Sequence, residues 1–232
     1  MPRCKLVLVV SDLDFTDPES TVIGSNSFFR NPYTDSILNI QTDYRYMKMG
    51  YYVSIQAEIM GCPVIPSSQN TLDAYRPPIF LLRASKRGLN TSPCVVSDNV
   101  RDIMFEVDFP MLIFPLHPAS NGRYRVVKSE GSLYRAVRSL GMNQKYPVCA
   151  ENLFGDLVTA KSLLGITDNQ VASKIAQAVY DEFKIPICRL VLQVLEGEPF
   201  LCSLTSVHSD ELTPQDLKIL SVRIGAAEKD FD

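Results

Sequence analysis

The strongest constraint on the fold is a strand–helix–strand order in the first third of the chain. Residues 35–40 (DSILNI) are typical of a β-strand, and apolar side chains between Met49 and Met60 recur at the spacing of one helical face. Gly61 can end this helix, and the short apolar segment PVIPS (63–67) follows it. Two strands joined through a helix usually pair in parallel, so this order predicts an α/β layer.

The remaining elements follow from the same patterns. The apolar run KLVLVV predicts a buried strand at 5–10, and the Ser-, Asn- and Pro-rich stretch at 15–32 predicts a long loop. Further strands are predicted at 77–85, 109–116, 123–127 and 146–154, and in two segments of 185–207 that meet at the turn EGEP. Further helices are predicted at 97–105 with Ser97 or Asp98 as cap, at 129–141, at 171–183 with Thr167 or Asp168 as cap, and at 213–225 with Thr213 as cap.

A separate alternation of predicted strands and helices between residues 91 and 155 indicates a second, smaller lobe. The predicted fold class is therefore α/β: a mainly parallel sheet flanked by helices, with an inserted or second smaller α+β lobe. In this prediction residues 1–90 and 156–225 form the main domain, and residues 226–232 form a tail.

Charge and hydropathy argue against several classes of partner. The net charge of −3 gives no overall basic field, which argues against nucleic acid and anionic lipid. No apolar run approaches the roughly 18 residues that a membrane span needs. The apolar run near the start is followed at once by Asp12 and Asp14 without a cleavage site, so we interpret it as a strand and the protein as cytoplasmic. Six cysteines without a CxxC pair are predicted to be reduced core residues.

Few residues are candidates for acid–base or metal chemistry. His117 and His208 are the only histidines, and the sequence has no Walker, dinucleotide or nucleophile-elbow motif. No catalytic residue and no metal site is therefore predicted. The segment SDLD (11–14) places carboxylates after the first strand, where they either bind a ligand or Mg²⁺ or serve as a turn or cap.

A cluster of phenol rings beside the first helix is the candidate ligand-binding site. Its members either line a pocket for an acidic or aromatic ligand or fasten a loop onto the helix. They are Tyr44, Arg45, Tyr46, Tyr51 and Tyr52. Ser54 and Glu58 stand four residues apart on one helix face, where they either line a cleft or face solvent. Arg45 or Arg189 is expected to form an ion pair with Glu58.

The same region contains an ordered set of residues: Asn39, Tyr44, Arg45, Tyr46, Gly50, Tyr51, Tyr52, Val53, Ser54, Ala57, Glu58, Gly61, Pro66 and Ser67, followed by Thr71 and Asp73. In this order they resemble the N-terminal domain that precedes RimK-like ATP-grasp ligases. A second family phrase, F-x-(I/V)-P-(I/L)-x-R, is matched by Phe183, Ile185, Pro186, Ile187 and Arg189. The resemblance implies a RimK-like, pre-ATP-type domain at 1–90 and 156–225, and it adds Arg189 to the candidate ligand-binding residues.

Residues 109–154 are similar to the nucleotide-covering half of an ATP-grasp fold, which implies an ATP-grasp-like lobe at 91–155. The strand lysine that touches the nucleotide phosphate in that family is replaced by Phe114, and the flexible loop keeps one glycine, Gly122. The residues that could supply charge near a nucleotide are Arg123, Arg125, Lys128 and Glu151. Where the family holds Mg²⁺ through carboxylates and an amide, residues 201–205 read Leu, Cys, Ser, Leu and Thr.

The resemblance implies ATP and Mg²⁺ for the family, but neither is expected to be bound by this chain alone. The expected function is that of a non-catalytic, substrate- or partner-binding N-terminal portion of a system that joins a carboxylate to an amine. The expected partner is an ATP-grasp catalytic module on the same or another chain, with a homo-oligomer as a further option. A catalytically silent ATP-grasp-like scaffold is the alternative. A minimal ligase that uses Asp12, Asp14 or Glu151 as unusual ligands is the third option.

Overall fold

The computed structural model describes residues 7–15, 20–117 and 124–231, and its N-terminal part is built on a parallel sheet. The strands of this sheet are β1 (Val7–Val10), β2 (Thr21–Ile23), β3 (Ser36–Asn39) and β4 (Val64–Ile65). They lie in the order β2–β1–β3–β4, and each neighbouring pair is parallel. The predicted α/β layer is confirmed.

Helices cover both faces of the parallel sheet. The first four are α1 (Ser25–Phe28), α2 (Met49–Ile59), α3 (Ser68–Ala74) and α4 (Pro77–Lys86). On one face Leu8 and Val10 of β1 pack with Val53 of α2, whereas Val7 and Val9 belong to a second cluster on the other face. Because β1 is buried on both faces, its sequence is continuously apolar rather than alternating.

Two predictions for this half are wrong. Residues 77–85 form helix α4 instead of a strand, because Pro77 is favourable in the first turn and the buried Phe80, Leu81 and Ala84 lie on one helical face. The predicted loop at 15–32 contains β2 and α1. Short apolar runs are compatible with either a strand or a helix, which explains the first error.

The middle of the chain forms an antiparallel sheet covered by two helices on one face. Its elements are β5 (Cys94–Ser97), α5 (Val100–Glu106), β6 (Met111–Pro115), β7 (Arg125–Val127), α6 (Glu130–Leu140) and β8 (Val148–Asn152). The strand order is β5–β8–β6–β7. Asn99 caps α5 by accepting a hydrogen bond from the Arg101 amide, so the predicted Ser97 or Asp98 cap is wrong. The division of the chain at 91 and 155 stays a prediction.

The last part of the chain adds a second antiparallel sheet. Its strands are β9 (Asp156–Leu163), β10 (Ile187–Leu195) and β11 (Glu198–Thr205), in the order β11–β10–β9. The predicted hairpin is confirmed, and its turn requires left-handed backbone at Glu196 (φ 52°) and Gly197 (φ 86°). Strand β9 was not predicted.

Two helices complete this part, α7 (Ser173–Phe183) and α8 (Pro214–Ala227). Asn169 accepts hydrogen bonds from the Val171 and Ala172 amides just before α7, whereas Thr167 accepts one from the Asn169 amide. The N-cap position of α7 is Ala172, so the predicted Thr167 or Asp168 cap is wrong. The cap of α8 is confirmed, since the Thr213 amide donates to Asp216 and the Asp216 amide donates to the Thr213 hydroxyl. A 3₁₀ turn at Glu228–Phe231 follows α8, so the predicted tail is helical up to Phe231.

Apolar contacts join the parallel sheet to this antiparallel sheet. Val9 and Leu38 share a buried cluster with Ile187 of β10 and Leu220 of α8. Within the described ranges, no helix combines the length and the apolar character that a membrane span requires.

Candidate functional site

The ring of Tyr44 lies in the core rather than in a pocket. Its hydroxyl donates to the Asn39 carbonyl (2.9 Å) and accepts from the Gln41 amide (2.8 Å). Burial raises the pKa of Tyr44 well above its usual value. This phenol fastens the chain after β3 to the core.

Ser54 and Glu58 face the same connection, the segment between β4 and α3. The buried Ser54 hydroxyl donates to the Pro66 carbonyl (2.7 Å) and accepts from the Asn39 side-chain amide (2.9 Å). The Glu58 carboxylate accepts from the Ser68 amide (2.7 Å) and hydroxyl (2.6 Å) at the start of α3. A carboxylate is favourable there because the amides at a helix N-terminus carry partial positive charge.

The expected ion pair to Glu58 is wrong. Arg45 forms a salt bridge with Asp43, and this bond is the main cause that raises the pKa of Arg45. Arg189, on β10, pairs with Glu211, and this bond is the main cause that lowers the pKa of Glu211. Asp43 stands two residues before Arg45, so the sequence could have indicated this pair, whereas Glu211 comes close to Arg189 only through packing after β11.

The exposed part of the tyrosine cluster is a small aromatic surface at the start of α2. Tyr46 and Tyr52 are 42% and 44% exposed, and both rings contact Tyr51 edge to face, with ring centroids 5.1 and 5.9 Å from that of Tyr51. Partial burial, followed by the neighbouring Tyr46, raises the pKa of Tyr51. Tyrosines of this kind offer apolar area and a hydrogen-bonding tip to a partner. Their role as ligand-binding residues stays a prediction.

The second candidate region is the space between the two antiparallel sheets. Phe114 of β6 is 1% exposed and stacks at a tilt against Tyr124, with 5.5 Å between ring centroids. It belongs to a buried cluster that spans both sheets, whose other members are Leu112, Cys149, Val191 and Cys202. The position that carries the phosphate-binding lysine in the family resemblance is therefore part of an apolar core.

Glu151 of β8 lies on the same face of that sheet and is fully buried. Neither of its carboxylate oxygens has a hydrogen-bond partner in the part of the chain that the structure describes. Burial, followed by the nearby Cys94 thiol, raises the pKa of Glu151 to about 9, although Cys202 and Ser92 lie close enough to oppose the rise. Glu151 is therefore protonated near neutral pH.

A buried polar network beside Glu151 was not predicted. The Gln193 side-chain amide donates to the Ser92 hydroxyl (3.1 Å), the Asn152 carbonyl (3.0 Å) and the Cys202 sulfur (3.4 Å), and its oxygen accepts from the Phe154 amide (2.8 Å). These bonds tie β10 to the chain where it leaves β8. A single glutamine inside the apolar strand LVLQVL is the sequence signal that could have found it.

The other predicted nucleotide-proximal residues lie elsewhere. Arg125 donates to the Ser139 hydroxyl of α6 (3.2 Å), on the helix-covered face of the sheet, and Lys128 is exposed. Arg123 and Gly122 lie outside the described residues. Asp12 accepts from the Ser25 amide (2.8 Å) and hydroxyl (2.7 Å), as expected for the cap role of the segment SDLD.

The described residues do not bring the carboxylates of the third option together. Asp12 and Asp14 follow β1 of the parallel sheet, whereas Glu151 lies between the antiparallel sheets. Across residues 7–15, 20–117 and 124–231, no group of three or more His, Cys, Asp or Glu side chains is arranged to hold a metal ion.

Similar solved structures define the class of the fold. The D-alanine–D-alanine ligase from Bacillus anthracis has a TM-score of 0.67 at 12% identity, with 98% of this chain and 100% of that chain covered. A RimK domain ATP-grasp protein from Sphaerobacter thermophilus has a TM-score of 0.63 at 10% identity, with 97% and 98% covered. The VanG D-Ala:D-Ser ligase from Enterococcus faecalis has a TM-score of 0.59 at 10% identity, with 87% and 90% covered. The chain has the fold of ATP-grasp-type ligases.

The sequence places the chain in a particular family of this class. The family model of the RimK-like ATPgrasp N-terminal domain matches residues 25–222. The chain therefore belongs to this family, and the predicted resemblance is confirmed. Among curated proteins, none is similar enough in sequence to match.

Proposed function

We propose that this chain is the non-catalytic, substrate- or partner-binding portion of a RimK-like ATP-grasp system that joins a carboxylate to an amine. The observation that carries this proposal is the burial of Phe114 where the family resemblance has a phosphate-binding lysine. A cationic side chain there would have to lie in an apolar core, which is costly.

ATP and Mg²⁺ are implied for the family, but the residues present do not fit them. Side chains from both antiparallel sheets occupy the space between those sheets. The nearby carboxylic acid, Glu151, is protonated near neutral pH and therefore a poor metal ligand. In β11, Leu201, Cys202 and Leu204 are buried where the family has metal-binding oxygens. We therefore assign nucleotide activation to an ATP-grasp module on the same or another chain.

The aromatic surface of Tyr46, Tyr51 and Tyr52 is the proposed contact of this chain with substrate or module. Tyrosine is enriched where protein partners meet, because its ring buries a large apolar area at low entropic cost. The neighbouring Arg76 lies close enough to lower the pKa of Tyr51, so the surface also has a cation for an acidic group.

Reconstitution tests this proposal. The chain is mixed with an ATP-grasp module encoded with it, and ADP release and amide formation are measured with and without the chain. We expect no turnover by this chain alone, and a lower KM for the amine acceptor when the chain is added to the module. Tyr46→Ala/Tyr52→Ala should weaken that effect, whereas Phe105→Ala, at a residue 86% exposed on α5, should not. Acceptor-dependent ATP turnover by the chain alone would overturn the proposal. So would a module whose rates of ADP release and amide formation are the same with and without the chain.

A further inference from the structure

A groove lined by two arginines lies beside the C-terminal half of α6, on the outer side of the antiparallel sheet that contains β6. Helix α6 packs on the face of that sheet that carries Met111 and Ile113, whereas Phe114 points to the opposite face. The groove has a volume of about 500 Å³, which is large enough for a small organic ligand. Its lining residues are Tyr134, Arg135, Arg138, Asn143 and Gln144.

The groove is a local concentration of positive charge on an acidic protein. Residues 124–147 carry five lysines and arginines and one carboxylate, although the whole chain has a net charge of −3. Among the described residues, neither Arg135 nor Arg138 takes part in a salt bridge. None of the described residues that line the groove is a carboxylate, so no such residue neutralises its guanidinium groups.

The turn after α6 holds the groove in shape. Met142, Asn143 and Gln144 have left-handed backbone with φ of 52°, 59° and 62°, a conformation that non-glycine residues rarely adopt in succession. The turn closes with a hydrogen bond from the Tyr146 amide to the Gly141 carbonyl (3.0 Å). A Cβ at Gly141 would lie 2.6 Å from the Tyr146 carbonyl, so this close approach requires glycine.

Asn143 orients Arg138 toward the groove. The Asn143 amide donates to the Arg138 carbonyl (2.7 Å), and Nε of Arg138 donates to Oδ1 of Asn143 (3.0 Å). Since Nε is the one guanidinium nitrogen of Arg138 with a hydrogen bond within the described residues, both Nη groups can donate to a ligand. Arg135 stands three residues earlier on the same side of the helix, so two guanidinium groups face one space.

We propose that this groove binds a small organic phosphate. One guanidinium group can donate two parallel hydrogen bonds to the two oxygens of a carboxylate. Two adjacent guanidinium groups match a dianion with three acceptor oxygens. The Tyr134 ring, 48% exposed at the edge of the groove, offers an apolar face that inorganic phosphate cannot use. The site lies apart from the aromatic surface of the proposed function and does not depend on it.

Calorimetric titration of the whole chain tests the proposal with three probes at constant ionic strength: phenyl phosphate, inorganic phosphate and citrate. We expect saturable binding in the order phenyl phosphate, inorganic phosphate, citrate. Arg135→Gln/Arg138→Gln should weaken phenyl phosphate binding at least about tenfold. The control Lys174→Gln/Lys218→Gln removes the same charge from exposed positions on α7 and α8, and it should leave phenyl phosphate binding unchanged. Equal losses in both double variants, no saturation, or tighter binding of citrate would overturn the proposal.

The variant Asn143→Gly tests whether Asn143 orients Arg138 for ligand binding without lowering the stability of the fold. Glycine accepts the left-handed backbone readily, so the melting temperature should stay equal or rise. Phenyl phosphate should nevertheless bind several-fold more weakly, because Arg138 loses the oxygen that orients it. Wild-type affinity in this variant would show that the groove does not depend on that bond and would contradict the proposed geometry.

Discussion

Two fully buried polar residues, Asn39 in β3 and Glu151 in β8, differ in what surrounds them. The Asn39 side-chain amide donates to the Gly50 carbonyl (2.6 Å) and the Ser54 hydroxyl (2.9 Å), and so fastens α2 to the parallel sheet. Within the described residues, both carboxylate oxygens of Glu151 and also the side-chain oxygen of Asn39 are without a hydrogen-bond partner, so what distinguishes Asn39 is the two bonds that its NH2 group donates. The NH2 group of Asn39 thus ties α2 to the parallel sheet, whereas the Glu151 carboxyl lies in the space between the antiparallel sheets and accepts no hydrogen bond within the described residues.

The largest effect is expected for Phe114→Lys, which restores the residue type of the family pattern. If the space between the antiparallel sheets is a closed core, the substitution removes aromatic packing and buries a cation there. The free energy of unfolding should then fall by about 3–5 kcal/mol. Urea denaturation measures this change. Val126→Lys, at a residue 40% exposed on the neighbouring β7, is the control and should cost little. A Phe114→Lys protein as stable as wild type would mean that the region can accommodate a charge, and the contrast with Asn39 would fail.

Glu151→Met should stabilise the protein increasingly as the pH rises. The folded-state pKa of Glu151 is raised from about 4.5 to about 9, so the folded protein keeps a proton that the unfolded chain releases. Below about pH 4.5 Glu151 therefore does not make the free energy of unfolding of the wild type depend on pH. As the pH rises from there toward 9, that free energy falls by at most about 1.4 kcal/mol per pH unit. Methionine does not titrate and leaves no carboxyl without a partner.

Thermal or urea unfolding of Glu151→Met and wild type between pH 5 and pH 8.5 measures that difference. Glu106→Met, at an exposed position on α5, is the control and should not reproduce the trend. A stability difference that is constant with pH would show that Glu151 is ionised in the folded protein, and would place it with Asn39 among residues that have found a partner.

The smallest effect concerns the parallel sheet. Tyr44→Phe leaves the Asn39 carbonyl and the Gln41 amide without their buried partner, so the free energy of unfolding should fall by about 1–3 kcal/mol. Tyr52→Phe removes a hydroxyl at a residue 44% exposed and should change it by less than about 0.5 kcal/mol. Denaturation midpoints compare the two variants. Equal stabilities would show that Tyr44 belongs with the surface tyrosines instead of with the buried network.

The sequence was informative where a local pattern decides the structure. The spacing of apolar residues predicts strands β1 and β3 and helix α2. The chemistry of helix caps predicts the pair Thr213 and Asp216. Helix α4 was predicted as a strand because the short run PPIFLL has no clear period, and tertiary packing decided its form.

The candidate site could be predicted only in part. The replacement of a lysine by Phe114 was visible in the sequence, but its burial between two sheets was not. Cys149 stands two residues before Glu151 on β8, but Cys94 and Cys202 are far from Glu151 along the chain, and they become its neighbours only because β5 pairs with β8 and the two antiparallel sheets stack. Contacts made by sheet stacking have no signature in local periodicity.

Calorimetric titration with Mg²⁺-ATP tests the central claim most directly, namely that the space between the antiparallel sheets is a closed core rather than a nucleotide site. The Arg135→Gln/Arg138→Gln variant is the suitable protein, because phosphate binding at the outer groove is then weakened. The account predicts no saturable heat up to millimolar Mg²⁺-ATP. Saturable binding in that range that is lost when Glu151 is replaced by methionine would contradict it.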